Sequence, residues 1–140
     1  MVQKGCEIET LDFGRNTNIY NFISKYPRFS KYPIKEFRVD KDNERFCSVD
    51  GVVYSKDMKT LVLYPSYKED AVFVMPNEVE SIYGGISSNH LKEITISKNL
   101  VDIKVMTFFD CENLDKINIP EDHCELWEDD SFKKGFVLDI

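Results

Sequence analysis

The sequence predicts an α/β or mostly β repeat protein, a short right-handed solenoid with a parallel concave sheet. Residues 91–96 (LKEITI) and residues 114–119 (LDKINI) carry this prediction, because they share one apolar spacing and start 23 residues apart. A phrase that returns at a fixed period of about 20 to 30 residues is typical of leucine-rich repeats, in which each repeat adds one strand to a stack. We therefore expect the two phrases to lie side by side in one sheet.

The rest of the chain divides at a similar spacing into one domain of about five repeats. The third repeat is degenerate, because Phe73 and Met75 stand where Ile94 and Ile96 stand in the fourth. Residues 121–140 are predicted to form a capping segment, since a further 23 residues from Leu114 and Ile117 reach Val137 and Ile140, half of a sixth phrase. The predicted repeats start near residues 8, 34, 70, 91 and 114.

A short amphipathic helix is predicted from Ile19 to Tyr26, where apolar residues recur at helical spacing. Residues 16–18 supply a polar N-cap, and Pro27 prevents the helix from continuing. Residues 25–35 then mix basic and aromatic side chains. We expect an ordered connection whose rings pack against the core, and the alternative is a loop that binds anions or single strands.

A β-hairpin inserted into the second repeat is predicted at residues 47–66. Two apolar or β-branched runs, residues 49–55 and residues 60–65, flank a short polar turn. Pro65 ends the second run. Tyr54 and Tyr64 are expected to be cross-strand partners.

Composition argues against several classes of partner. The formal net charge is −7, whereas nucleic-acid binding needs a basic surface that neutralises phosphates, so no nucleic acid is expected. No apolar run approaches the roughly 18 residues that span a bilayer, so no membrane insertion is expected. The N-terminus has no basic-then-apolar leader, which indicates a cytoplasmic protein if the chain is full length.

No metal or cofactor is expected either. The cysteines Cys6, Cys47, Cys111 and Cys124 form no C-x-x-C pair, and neither histidine has the spacing of a metal finger. Buried thiols are the favoured interpretation, with disulfides as the alternative. The acidic residues between 121 and 130 lack the pattern of a calcium-binding loop, so a solvated charged end is favoured there.

The outward side chains of the stacked phrases form the predicted partner surface. With Ile94 and Ile96 facing inward, the alternate residues of each strand face out. A merely solvated sheet face is the alternative. The candidate binding residues are Asp12, Glu36, Arg38, Val72, Val74, Glu93, Thr95, Lys116 and Asn118 on the sheet, with Tyr54 and Tyr64 on the hairpin.

These residues predict a non-catalytic module that binds another protein through the concave sheet or the hairpin surface. The alternative is a glycan-binding module that uses the tyrosine-rich N-terminal half. Open solenoid ends expose strand edges, which also allows end-to-end self-association. An enzyme is not expected, because His90 and His123 fall in different repeats, although a pair of Cys111 with His90 is conceivable.

Residues 50–65 and residues 108–120 resemble the hairpin unit and the repeat core of the BspA-like (treponemal type) leucine-rich repeat family. The resemblance covers roughly residues 34–120, and Met58 departs from the glycine usual in that turn. It implies that Cys111 points inward and caps the backbone of a turn. Members are mostly bacterial or protozoan surface or secreted proteins thought to bind host proteins or other cells. The resemblance therefore implies a secreted or cell-surface location and a role in adhesion.

Overall fold

The chain forms a β-solenoid of about four turns with mostly parallel strands and little helix, which confirms the predicted fold class. The structure is a computed structural model, and it describes residues 8–101, 111–120 and 138–139. Within these ranges the helices are α1 (Ile19–Lys25) and a 3-10 helix (Phe29–Lys31). The strands described, in chain order, are β1 Thr10–Phe13, β2 Glu36–Val39, β3 Phe46–Val49, β4 Val52–Ser55, β5 Thr60–Leu63, β6 Val72–Val74, β7 Ser81–Ile82, β8 Glu93–Thr95, β9 Lys116–Asn118 and β10 Leu138–Asp139.

The two phrases that organise the sequence lie side by side in one parallel sheet, as predicted. This sheet has the strand order β10-β9-β8-β6, and Ile94 of β8 is in register with Ile117 of β9. Phe73 of β6 is in register with Ile94 in the same way, which confirms the degenerate third phrase as a strand. All three side chains are buried. Because side chains alternate along a strand, their neighbours face out together.

The last strand, β10, pairs at a register different from the one that the 23-residue count predicts. Leu138 lies opposite Ile117, whereas the count places Ile140 there. The difference is two residues, which is one full period of side-chain alternation. Ile140 itself lies outside the described residues, as does residue 137.

The predicted partner surface is not one continuous sheet face, because β1 and β2 form a separate two-stranded parallel sheet. The far edge of β2 meets the turn between β3 and β4. The N–H of Phe37 donates to the carbonyl oxygen of Gly51 at 2.9 Å, and the N–H of Val39 donates to Ser48 Oγ at 3.0 Å. The turn therefore occupies the edge on which the next strand of a continuous sheet would pair.

Where a single hairpin is predicted at residues 47–66, residues 46–63 form a meander of three antiparallel strands, β3, β4 and β5. β5 also pairs in parallel with β7, which joins the meander to the solenoid. Asp50 and Gly51 form the additional turn, and their φ angles are 51° and 81°. A two-residue hairpin turn of type I′ requires positive φ at both of these positions. The predicted pairing of Tyr54 with Tyr64 is wrong, since Tyr54 lies opposite Leu61.

The helix α1 begins at Ile19, as the sequence predicts, and ends at Lys25, one residue before the predicted end. The side chain of Asn18 accepts a hydrogen bond from the N–H of Tyr20 at 3.1 Å, and Tyr26 is the C-cap residue before Pro27. In the connection that follows, the ring of Phe29 lies 6.2 Å from that of Phe37. The expectation that rings of this loop pack against the core is therefore confirmed.

The meander separates two hydrophobic clusters. Val53 of β4 belongs to the cluster around Phe13, Ile19 and Phe37. Val52 and Tyr54 of the same strand belong to the larger cluster under the parallel sheet. β4 is therefore buried on both faces, which explains why residues 52–54 are all apolar or aromatic rather than alternating with polar residues.

The hydroxyl of Tyr64 is a polar group in the hydrophobic interior. Its side chain is buried, and its hydroxyl has no hydrogen-bond partner within the described residues. Burial accordingly raises the pKa of this hydroxyl. A buried polar group without a partner costs free energy on folding.

Replacing Tyr64 by Phe is therefore expected to raise the free energy of unfolding by about 1 kcal/mol. The substitution keeps the ring, which lies edge-on to Phe73 with centroids 5.1 Å apart, and removes only the hydroxyl. Urea denaturation measures the change. Tyr67→Phe is the matched control, because Tyr67 is exposed and should show no change. A loss of stability in Tyr64→Phe would mean that the hydroxyl is paired in solution.

Candidate partner-binding surface

Six of the predicted binding residues lie together on the outward face of β6, β8 and β9. The register places Val72, Glu93 and Lys116 in one row across the three strands. The next row consists of Val74, Thr95 and Asn118. The predicted rows are therefore present over this part of the sheet, while their role in binding stays a prediction. We call these six residues the concave patch.

Hydrogen bonds fix the polar half of the concave patch. Asn118 Nδ2 donates to Glu93 Oε2 at 2.7 Å and to Thr95 Oγ1 at 3.1 Å. These bonds cross from β9 to β8 and restrict the rotamers of all three side chains. A surface ordered in this way loses less side-chain entropy when it binds a partner.

The apolar half of the concave patch consists of two exposed valines on β6. Val72 is 50% exposed and Val74 is 65% exposed, while Phe73 between them is buried. Apolar side chains grouped at one place on a surface mark interaction sites more often than single ones do. The two valines lie on consecutive outward positions of one strand and so form such a group.

The remaining predicted sheet residues, Asp12, Glu36 and Arg38, lie on the separate sheet of β1 and β2. Asp12 is in register with Arg38. The guanidinium Nε of Arg38 lies 2.8 Å from Glu36 Oε1, and this hydrogen bond raises the pKa of Arg38. The three residues therefore form a charged cluster of their own, set apart from the concave patch by the turn at Gly51.

One ion-pair network connects the segments that precede β2 and β6. Lys35 Nζ lies 3.4 Å from Glu9 Oε1 and 2.6 Å from Glu69 Oε1. The hydrogen bond from Lys35 lowers the pKa of the Glu69 carboxyl and raises that of the lysine. All three side chains are substantially exposed, so solvent screens the attraction and its contribution to stability is small.

A groove of about 500 Å³ opens beside β2 and the turn between β3 and β4. Sequence reasoning missed this groove, because residues 49–55 were interpreted as one strand and not as a strand, a turn and a second strand. The Asp-Gly pair at the turn is the signal that could have found it. The charged side chains that line the groove are Lys35, Arg38, Lys68, Glu36 and Asp50.

The two hairpin candidates, Tyr54 and Tyr64, are not on the surface. They are 1% and 3% exposed, and burial raises the pKa of both hydroxyls. The prediction that their rings contact a ligand is wrong for this fold, because the meander is covered on both sides. At the tip of the meander, Val49 is 45% exposed instead.

The conceivable catalytic pair of Cys111 with His90 has a structural arrangement in this fold. Cys111 is buried, and its thiol donates to the carbonyl oxygen of Ile86 at 3.1 Å. The implied inward, turn-capping role of this cysteine is confirmed. His90 lines a cleft of about 290 Å³, where the Ser88 hydroxyl accepts hydrogen bonds from the backbone N–H groups of His90 and Leu91. That hydroxyl therefore shapes the turn.

The other candidates for chemistry lie partly outside the described residues. His123, Cys6, Cys124 and the acidic residues between 121 and 130 fall there. Cys47 is half-buried, which raises the pKa of its thiol, and it lies 3.5 Å from the carbonyl oxygen of Ser55. The ranges that the structure describes contain no group of three or more acidic, histidine or cysteine side chains arranged to hold a metal ion. No helix in those ranges combines the length and apolar character needed to cross a membrane.

Comparison with known proteins supports the fold. No protein-family model matches the chain, and no curated protein matches it. Among solved structures, the chain is similar to the pneumococcal vaccine antigen PcpA, with 29% identity and a TM-score of 0.62 over 78% of this chain and 27% of that one. It is also similar to a leucine-rich repeat protein from Eubacterium ventriosum, with 16% identity and a TM-score of 0.53 over 81% of this chain and 36% of that one.

These likenesses show a leucine-rich repeat fold, while membership of the BspA-like subtype stays a prediction. The chain spans 27% and 36% of the lengths of the two structures. Leucine-rich repeat solenoids commonly present an extended concave surface to other proteins. The concave patch lies on the outward face of the parallel sheet of this chain.

Proposed function

We propose that this chain is a non-catalytic module that binds another protein through the concave patch. The observation that supports this most directly is the pair of exposed valines on β6 beside the hydrogen-bonded side chains of Glu93, Thr95 and Asn118. Protein interfaces combine an apolar centre with a polar rim, and a preformed surface binds with less loss of entropy. The concave patch places an apolar pair on β6 next to polar side chains that are held by hydrogen bonds.

We further propose that the module acts at a cell surface, in adhesion or in contact with a host. The support is the resemblance to the BspA-like family and the likeness to a pneumococcal vaccine antigen. The mixed charges of the concave patch, with Glu93 and Lys116 in one row, suit a protein partner better than a polyanion. The alternative of glycan binding through the tyrosine-rich N-terminal half loses two of its candidate residues, Tyr54 and Tyr64, because both are buried.

The experiment captures binding partners from cell-surface extracts, prepared from the organism that makes the protein and from its host cells. Immobilised wild-type chain is compared with Val74→Asp and with Val101→Asp. Val101 is 68% exposed and lies outside the concave patch, so it is the matched control. Val74→Asp is expected to lower the recovery of a specific partner at least about thirtyfold, the effect of losing a 2 kcal/mol hot spot. Val101→Asp is expected to capture it normally.

Two further variants locate the surface, and circular dichroism verifies that each variant folds. Glu93→Lys breaks the hydrogen bond to Asn118 and should also weaken capture. Arg38→Glu changes the charged cluster on the other sheet and should have a smaller effect. If wild type, Val74→Asp and Glu93→Lys capture the same proteins equally, the concave patch is not the binding surface. Retention on a glycan array in the absence of any protein partner would favour the glycan alternative.

A further inference from the structure

One edge of the β6 backbone is paired with no other strand within the described residues. The carbonyl oxygen of Ala71 accepts a hydrogen bond from the N–H of Lys92 at 2.8 Å, and the N–H of Met75 donates to the carbonyl oxygen of Thr95 at 3.0 Å. The N–H and C=O groups of successive residues in a parallel strand point alternately to the two sides. The backbone N–H and C=O groups of residues 71, 73 and 75 therefore point toward β8. The backbone groups of Val72 and Val74 point to the opposite side, where the described residues place no strand.

The edge of β2 on the other side of the break, which faces this edge of β6, is closed. Its groups at Phe37 and Val39 donate to the Gly51 carbonyl oxygen and to Ser48 Oγ. The carbonyl oxygen of Ile34, just before β2, accepts a hydrogen bond from the N–H of Tyr67 at 3.1 Å. The meander and the segment at Tyr67 thus occupy this edge of β2, and β6 is the terminal strand of its sheet among the described residues.

The β6 edge also lacks the usual protection against pairing with another chain. Native edge strands commonly carry charged side chains, proline or a bulge that discourages a further strand. β6 consists of Val72, Phe73 and Val74, and its outward side chains are 50% and 65% exposed. Pro76 follows the strand and limits the open edge to about one short strand.

We propose that an extended segment of the partner protein pairs with β6 as an added strand. This deepens the proposed function and depends on it. The backbone donors and acceptors at Val72 and Val74 repeat at a spacing of roughly 7 Å, two residues of a strand, and another extended backbone presents groups at the same spacing. Recognition by strand addition takes affinity from main-chain hydrogen bonds and specificity from alternate side chains.

The side chains define the chemistry of that segment. Apolar residues at alternate positions would cover Val72 and Val74 on the concave side. The charges beside the break in the sheet are already paired, because Arg38 Nε lies 2.8 Å from Glu36 Oε1, so they select no charge in the partner segment. The occupant is a protein segment with an alternating apolar pattern.

The test uses peptides selected on the wild-type chain from a displayed library of random twelve-residue sequences. Val74→Pro removes the N–H of residue 74 from the open edge, while the hydrogen bonds of residues 71, 73 and 75 to β8 are kept. Val74→Thr is the matched control, because it keeps the N–H and the β-branched shape. The selected peptides are expected to bind Val74→Pro roughly tenfold more weakly than they bind Val74→Thr, because the threonine variant changes the side chain but keeps the N–H.

N-methylation along the selected peptide gives an independent readout. Strand addition predicts weaker binding at every second residue only, because alternate N–H groups face β6. Uniform tolerance of N-methylation, or equal loss in Val74→Pro and Val74→Thr, would overturn strand addition while leaving side-chain binding by the concave patch intact. Selected peptides that bind Val74→Asp as well as wild type would contradict both proposals. Concentration-dependent dimers that Val74→Pro abolishes would instead identify a second copy of the chain as the occupant.

Discussion

Replacing Asn43 by Asp is expected to lower the free energy of unfolding by about 3–5 kcal/mol at neutral pH. Asn43 is buried, and its Nδ2 donates to the carbonyl oxygens of Gly14 and Thr17 at 3.0 and 3.1 Å. Its Oδ1 accepts from the N–H groups of Arg45 and Phe46 at 2.9 and 3.0 Å. A carboxylate keeps the second pair of bonds but turns an oxygen toward two carbonyl oxygens.

The pH dependence distinguishes this mechanism from a general packing defect. Burial without a donor raises the pKa of the introduced carboxyl above the ordinary value of about 3.9. The folded variant therefore binds a proton more tightly than the unfolded chain, and its deficit relative to wild type shrinks as pH falls through the raised pKa. Urea denaturation of both proteins between neutral and acidic pH measures this change. A deficit that stays constant over the range would contradict the assignment.

Asn99→Asp is the matched control for the same chemical change. The amide of Asn99 donates to the carbonyl oxygen of Asn77 at 2.6 Å, but the side chain is exposed, so water replaces the lost bond at small cost. We expect a loss below about 1 kcal/mol there. If Asn43→Asp were no more harmful than Asn99→Asp, the link between the start of α1 and the start of β3 would not be formed.

Gly51→Ala is the second substitution with a large expected effect, a loss of about 2–3 kcal/mol. Gly51 has φ of +81°, and a Cβ there would lie 3.1 Å from Glu36 Cγ and 3.3 Å from Glu36 Cα. The left-handed conformation alone costs an alanine roughly 1–2 kcal/mol. The contact with β2 adds to this cost, because one of the two atoms belongs to the backbone and cannot rotate away.

The control is Gly84→Ala, since a Cβ at Gly84 meets no atom within 4 Å. Alanine there reduces the freedom of the unfolded chain, so we expect no loss and a gain of up to about 1 kcal/mol. Both variants are compared with wild type by urea denaturation. An unchanged dependence of the free energy of unfolding on urea concentration verifies that unfolding stays two-state. Equal stability of Gly51→Ala and wild type would mean that the turn does not press against Glu36 in solution.

Much of the fold could be predicted from apolar spacing, because spacing determines which side chains face inward together. Ile94 and Ile117 were predicted to share a sheet and do, and Asn18 caps α1 as its position suggests. The break between β2 and β6 was not predicted. It depends on the Asp50-Gly51 turn, and this pair lies inside an apolar run that also fits a single strand.

The predicted positions of the candidate binding residues also differ in outcome on the two sides of the break between β2 and β6. The rows through Glu93 and Thr95 follow from a period of two, whereas Asp12 and Arg38 lie on another sheet because the meander interrupts the stack. Tyr54 was misplaced because one face of its strand was assumed to meet solvent. A run without polar residues at positions 52–54 favours burial on both faces. The hydrogen bond from Asn118 to Glu93 depends on rotamers, which one sequence does not determine.

The burial of β4 on both faces determines how the molecule unfolds. Its side chains belong to both hydrophobic clusters, and β3 and β5 pair with its two edges. Exposing this strand to water disrupts both clusters at once, so neither cluster can unfold independently of the other. The amide protons of β4 therefore exchange with the solvent only through the largest openings of the molecule, and the two clusters behave as one cooperative domain.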